Sequence, residues 1–286
     1  MCGKIFHACT SGKDMPILFT TDEDLAFVMN VIAYAAYKFN GIITILAFEV
    51  MNNHFHFVIC GNEEDIEAFF NCVVKKLKRS FPMAGEMKLK IIPVNNLAMA
   101  RNVIVYNNRN GYVANPRYTP FSYPWGTGKY YFNDVRETGI FGDVGYTLNR
   151  KMFRGSNVTL PKDWKVIDGY IAPSSYCAIE LGKAIFRDAH HYFAAVGKNV
   201  EAYSEVASDI EDGEFLTDTE LFSLLRQKVI EQYHIANLRE LTKAQRLDLA
   251  RTLHYDYRSS NGQIRRILGL TQYEVDSLFP LGKGQK

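Results

Sequence analysis

Apolar and polar positions repeat along this chain with two different periods. Ile5 to Thr10 predicts a first strand, and Ser11-Gly12-Lys13-Asp14 supplies turn chemistry. Thr21 and Asp24 have the spacing of a capping box, and Leu25, Val28, Met29, Ile32, Ala33 and Ala36 follow at helical spacing. That helix should stop near Asn40-Gly41, where glycine can take a left-handed cap. Ile42 to Val50 is rich in β-branched residues and predicts a second strand. A tight Asn52-Asn53 turn leads to a third strand from His54 to Cys60. Glu63-Glu64-Asp65 suits the positive end of a second helix, and Lys75 to Arg79 suits its negative end. Lys88 to Ile92 predicts a short fourth strand.

The order is strand, helix, strand, strand, helix, strand. It predicts an α+β fold: a ferredoxin-like antiparallel sheet with helices packed on one face, and strands one and three at its centre. Asn95 or Asn96 can cap a third helix running to about Asn110 or Gly111, with Leu97, Ala100, Ile104, Met99 and Val103 as its packing stripe. Residues 116–124 are aromatic- and proline-rich and should be irregular, and 126–180 carry many turn residues. Leu181 to Val196 predicts one helix; His190 and His191 are adjacent on it and cannot face one ligand together. Asp218 to Tyr233 and Thr242 to Tyr257 predict two more. A short helix, a turn at Gly269 and a second short helix capped by Thr271 then fit a helix-turn-helix. The expected division is an N-terminal α+β domain over 1–132, an irregular or helical connection over 133–215, and a helical C-terminal domain over 216–286.

Composition adds limits. The chain has 286 residues, 47% hydrophobic and 22% charged, which is ordinary for a globular protein. No apolar run approaches the roughly 20 residues of a membrane helix, and the N-terminus lacks a signal-peptide layout. A cytoplasmic protein without membrane association is expected. The cysteines Cys2, Cys9, Cys60, Cys72 and Cys177 are scattered and odd in number, so no disulfide framework or zinc ribbon is expected. Net charge is only +2, but it is unevenly spread. Lys75, Lys76, Lys78, Arg79, Lys88 and Lys90 form one basic cluster, and Arg265 and Arg266 belong to a second, whereas 201–220 is acidic with no Lys or Arg. Local basic patches speak for a polyanionic partner more than the net charge does.

The chemistry gathers at His54-Phe55-His56. Side chains two apart on a strand share a face, so both imidazoles point one way and form a two-nitrogen metal clamp. Tyr106 and Asn110 are four apart on the third helix and share a face as well. Each feature alone has a plain structural reading, as polar sheet residues and a core aromatic. Together they offer two imidazoles, an amide oxygen and a phenol.

Met51-Asn52-Asn53-His54-Phe55-His56 resembles the Met-Pro-Asn-His-x-His element of the HUH single-strand tyrosine transposases. Tyr106 to Ala114 resembles their Tyr-Ile-His-x-Asn-Pro-x-x-Ala element, and Pro124-Trp125 the Pro-Trp that follows. The similarity covers about 1–132 and is nearest to the REP-associated tyrosine transposase branch. Asn52, Asn108 and Gly111 stand where that family has Pro, His and Pro. The resemblance implies that His54, His56 and Asn110 hold a divalent metal, Mg²⁺ or Mn²⁺, and that Tyr106 is the nucleophile. The substrate would be single-stranded or hairpin DNA, cut to leave a 5′-phosphotyrosine, with Lys75, Lys76, Lys78, Arg79, Lys88, Lys90, Arg265 and Arg266 following its backbone. A replication or plasmid nickase would share this logic. A DNA-binding regulator with an inactive site is the reading from a different class. Monomer and homodimer both remain open.

Overall fold

The four long strands carry β-branched and aromatic residues in runs of six or seven. In the computed structural model they are β1 (Ile5–Thr10), β2 (Thr44–Val50), β3 (Phe55–Cys60) and β4 (Leu89–Val94). The structure describes residues 3–12, 15–114, 118, 119, 121–198, 218–235, 237–255, 257, 259 and 261–279. Lys13 and Asp14 of the expected first turn, Pro116, and the acidic residues 201–217 lie outside them. The strands form one antiparallel sheet in the order β2-β3-β1-β4, with β3 and β1 inside. Every residue of β3 is buried, so both of its faces are covered.

One face is aromatic. Phe48, Phe55 and Phe57 meet residues from the chain outside the sheet, with Phe19 5.9 Å from Phe55 and Phe69 5.5 Å from Phe57 between ring centroids. This is the face of α1 (Asp22–Lys38) and α2 (Glu63–Leu77), which pack on each other. Thr21 and Asp24 form the predicted capping box of α1, and Asn62 caps α2. The other face carries His7, Cys9 and His56 and is covered by α3 (Leu97–Ala114). Helices therefore lie on both faces, not on one as the element order suggested, because α3 returns across the polar side. Asn96 caps α3 by accepting from the Met99 N–H at 2.8 Å. Ala100, Val103 and Ile104 are buried as expected; Leu97 is 54% exposed and does not belong to the packing stripe.

Residues 133–198 are not a loose connection. A small sheet of β5 (Gly139–Ile140), β6 (Lys165–Ile167) and β7 (Tyr170–Ile171) sits beside α1. The buried Asn30 of α1 ties it there, donating to the carbonyls of Met152 and Gly169 and accepting from the Ile171 N–H at 2.9 Å. Met152 closes α4 (Tyr146–Met152). The single helix expected over Leu181–Val196 is instead α5 (Ile179–Lys183) and α6 (Ala189–Lys198). Asp188 causes the restart: its carboxylate accepts from the His191 N–H at 2.7 Å, which is cap geometry.

The chain divides into two compact units, Met1–Gly111 with Pro120–Asn199, and Tyr112–Thr119 with Val200–Lys286. The boundary thus falls elsewhere than at 132 and 215, because 133–198 shares hydrogen bonds with α1 and β2. The second unit contains α7 (Asp218–Tyr233), α8 (Lys243–Tyr255), α9 (Asn261–Leu268) and α10 (Gln272–Leu278). Leu225, Leu249, Leu253, Ile264 and Val275 are among its core residues. Gly269 turns the chain with φ +62°, and Thr271 and Glu274 form a capping box for α10. No helix among the described residues is long and apolar enough to cross a membrane. Cys60 is disulfide-bonded, whereas Cys9, Cys72 and Cys177 are thiols. A bridge is decided by proximity in space, which the scattered spacing does not reveal.

Candidate functional site

The register of the sheet brings one row of polar side chains together. Cys9 is opposite both His56 and Lys90, and His56 is opposite Glu49. Directly opposed residues share a face, so Lys90, Cys9, His56 and Glu49 cross the sheet in that order. His7 lies two residues before Cys9 on the same face, and His54 two before His56. The rings of His54 and His56 are 4.9 Å apart, and those of His7 and His56 stack at 5.6 Å.

From the other side, α3 presents Tyr106. Its ring meets His56 edge-on at 5.5 Å and His7 at 6.0 Å. The expected grouping of His54, His56 and Tyr106 is therefore assembled in space, with all three side chains fully buried. Asn110 is buried one helical turn beyond Tyr106. Its amide makes no hydrogen bond among the described residues, and neither does that of Asn107. A buried amide without a partner is costly, so a ligand for the Asn110 oxygen would offset a real penalty.

His54 is held in a defined orientation. Asn53 donates through Nδ2 to the carbonyls of Gly12 and Met15, at 2.9 and 2.7 Å. Its Oδ1 must then accept, and His54 Nδ1 lies 2.8 Å from it. A neutral His54 consequently carries its proton on Nδ1 and its lone pair on Nε2. That is the arrangement in which a second residue prepares an imidazole for a metal. His54 Nε2 and the Asn110 oxygen are each atoms of the kind a divalent cation accepts.

Asn108 turns its amide to Thr127 and Tyr192. Its Oδ1 accepts from Thr127 Oγ1 at 2.9 Å and its Nδ2 donates to the Tyr192 hydroxyl at 3.1 Å. Burial, aided by Glu49 and opposed by that hydrogen bond, pushes the Tyr192 phenol well above the ordinary tyrosine value. Thr127 in turn brackets Phe48, accepting from its N–H at 3.0 Å. The segment around Pro124-Trp125 runs along β2: Val50 N–H donates to Trp125 and Thr127 N–H donates to Phe48. Gly126 is required there, because a Cβ would come 2.7 Å from the Phe48 carbonyl oxygen. This segment and α6 close the polar side of the sheet near Asn108.

The basic residues do not gather around the histidines. Lys75, Lys76, Lys78 and Arg79 sit on or just after α2, behind the sheet's aromatic face. Lys76 stacks over Tyr34 at 4.0 Å, and burial followed by repulsion from Arg79 lowers its pKa. Lys88 is exposed just before β4, and Lys90 alone of this group lies in the polar row. Arg265 and Arg266 are exposed on α9, in the second unit.

Four neighbours were missed by sequence reasoning: His7, Cys9, Glu49 and Asn107. His7-x-Cys9 has the same two-residue spacing as His54-x-His56, and pairing β1 with β3 would have exposed it. Comparison with protein-family models, curated proteins and solved structures finds no match.

Proposed function

We propose that this chain nicks and rejoins single-stranded DNA bearing hairpins, using Tyr106 as the nucleophile. The observation that carries the proposal is the meeting of Tyr106 from α3 with His56 from β3, at 5.5 Å between rings, beside an oriented His54. The strand order supports a ferredoxin-like reading of the sheet, and α9, Gly269 and α10 support a helix-turn-helix reading. The motif resemblance to HUH tyrosine transposases points the same way.

A phenol has a pKa near 10 and must lose its proton to attack. Tyr106 would transfer that proton to a neighbouring base, and its oxygen would bond to the scissile phosphorus as the 3′ oxygen leaves and takes a proton. The product is a 5′-phosphotyrosine and a free 3′ hydroxyl. The new ester keeps the energy of the broken one, so a 3′ hydroxyl can attack it and rejoin the strand. His54, His56 and Asn110 would hold a divalent cation, Mg²⁺ or Mn²⁺, which when bound withdraws charge from the phosphate. Lys90 would face the nucleic acid backbone from the sheet.

Full burial of Tyr106, His54 and His56 favours a second reading, a DNA-binding protein that does not cut. Hairpin DNA with Mn²⁺ separates the two. A covalent adduct is expected from the parent protein and none from Tyr106→Phe, which should bind the hairpin as before. Binding by the parent without an adduct would favour the regulator.

A further inference from the structure

The strongest unassigned feature is the cluster His7, Cys9 and His56. We propose that these residues form a thiolate-bearing site for a zinc-class cation, distinct in composition from the His54, His56 and Asn110 set. All three side chains are buried, and one ligand atom from each lies within 4.8 Å of the others. A tetrahedral zinc site needs such donors about 3.3–3.6 Å apart, from Zn–N near 2.0 and Zn–S near 2.3 Å. Metal binding would have to draw the donors together by about 1 Å through their side-chain torsions.

The backbone fixes the convergence. His7 and Cys9 are alternate residues of one inner strand, and His56 pairs with Cys9 on the next. The donor set also selects the metal. Imidazole and thiolate suit zinc, whereas Mg²⁺ prefers oxygen. On binding, the Cys9 thiol releases its proton to solvent, and two neutral imidazoles with one thiolate leave the site at +1. Glu49, buried and directly across from His56, supplies a carboxylate that offsets this charge. A fourth position remains for water or another oxygen.

The inference does not depend on DNA cleavage. It shares only His56 with that reading and holds for a structural zinc as well as for a reactive one. The test uses the full chain with Co²⁺ in place of zinc. Tetrahedral cobalt bound to a thiolate gives a sulfur-to-metal charge-transfer band in the near ultraviolet. The parent should show that band and retain stoichiometric zinc through dialysis. Cys9→Ser should lose the band and hold zinc at least about tenfold more weakly, the scale on which even outer-shell changes act. His54→Ala should keep the band. Absence of the band from the parent overturns the proposal, as does its survival in Cys9→Ser. Should Cys9→Ser not fold, judged by near-ultraviolet circular dichroism, His7→Gln takes its place, with zinc retention unchanged from the parent as the overturning result. The tyrosine adduct is scored separately, so loss of the adduct with the band intact counts only against the nicking reading.

Discussion

Lys129 shows how single residues support the site from a distance. It is buried, and its ammonium donates to the Tyr170 hydroxyl at 2.7 Å, which donates on to the Pro124 carbonyl. Burial, opposed by the charges of Asp168 and Glu137, pulls its pKa down to about 8. An unfolded lysine titrates near 10.4. Between those values the unfolded chain binds more protons than the folded one, so stability should rise with pH from about 8 to about 10.4. Below pH 8 both forms are charged and the burial penalty is present in full. Urea unfolding should register a gain on the order of 1–3 kcal/mol across that window, and Lys129→Met should flatten it. An unchanged slope in the variant would place the titration elsewhere. At this scale the sequence was partly legible. The His-x-His alternation and the Tyr106 to Asn110 turn follow from backbone periods alone, and the structure brings His54, His56 and Tyr106 together. His7, Cys9 and Glu49 needed the pairing of β1, β2 and β3, which no local spacing encodes.

Secondary-structure elements were legible where local chemistry decides them. Thr21 with Asp24 and Thr271 with Glu274 are capping boxes in the sequence and in the structure. The break between α5 and α6 was not legible, because the cap at Asp188 interrupts an apolar pattern that continues through it. In the second unit, Lys243 reaches Glu274 at 2.6 Å and joins the start of α8 to that of α10. Hydrogen bonds from Lys243 and Thr271 hold the Glu274 carboxyl down to about 2. Arg265 and Arg266 are exposed on α9, while Ile264 and Leu268 face the core. Arg265→Ala with Arg266→Ala should weaken hairpin binding and flatten its salt dependence by roughly one to two units, without slowing single-turnover cleavage at saturating DNA. Affinity measured across a salt series decides it: binding equal to the parent at every concentration would make these helices purely structural.

The whole molecule does not divide where motif density ends. Beyond residue 132, Ala178 N–H donates to Ile45 of β2 at 2.8 Å, and Asn30 holds the small sheet against α1. Tyr131 donates to the Leu46 carbonyl, in a position that leaves no space for a side chain at Gly182. A fragment spanning 1–132 loses all partners from α4 to α6 and bares Asn30. It should melt at least about 5 °C below a fragment spanning 1–198, consistent with the loss of several buried hydrogen bonds. Equal melting temperatures would mean that the later elements only decorate the sheet. The resemblance covers the motifs, and the folding unit is larger because its outer strand is completed from farther along the chain.

That completion couples two behaviours. β2 is an outermost strand, yet Trp125, Thr127 and Ala178 occupy its outward-facing amides and carbonyls. Any motion that lifts the Trp125–Thr127 stretch also unzips its bonds to Val50 and Phe48. The bared edge is a template on which another strand can crystallise into register. The mobility of that stretch and the vulnerability of β2 to runaway self-pairing are therefore drawn from the same few hydrogen bonds.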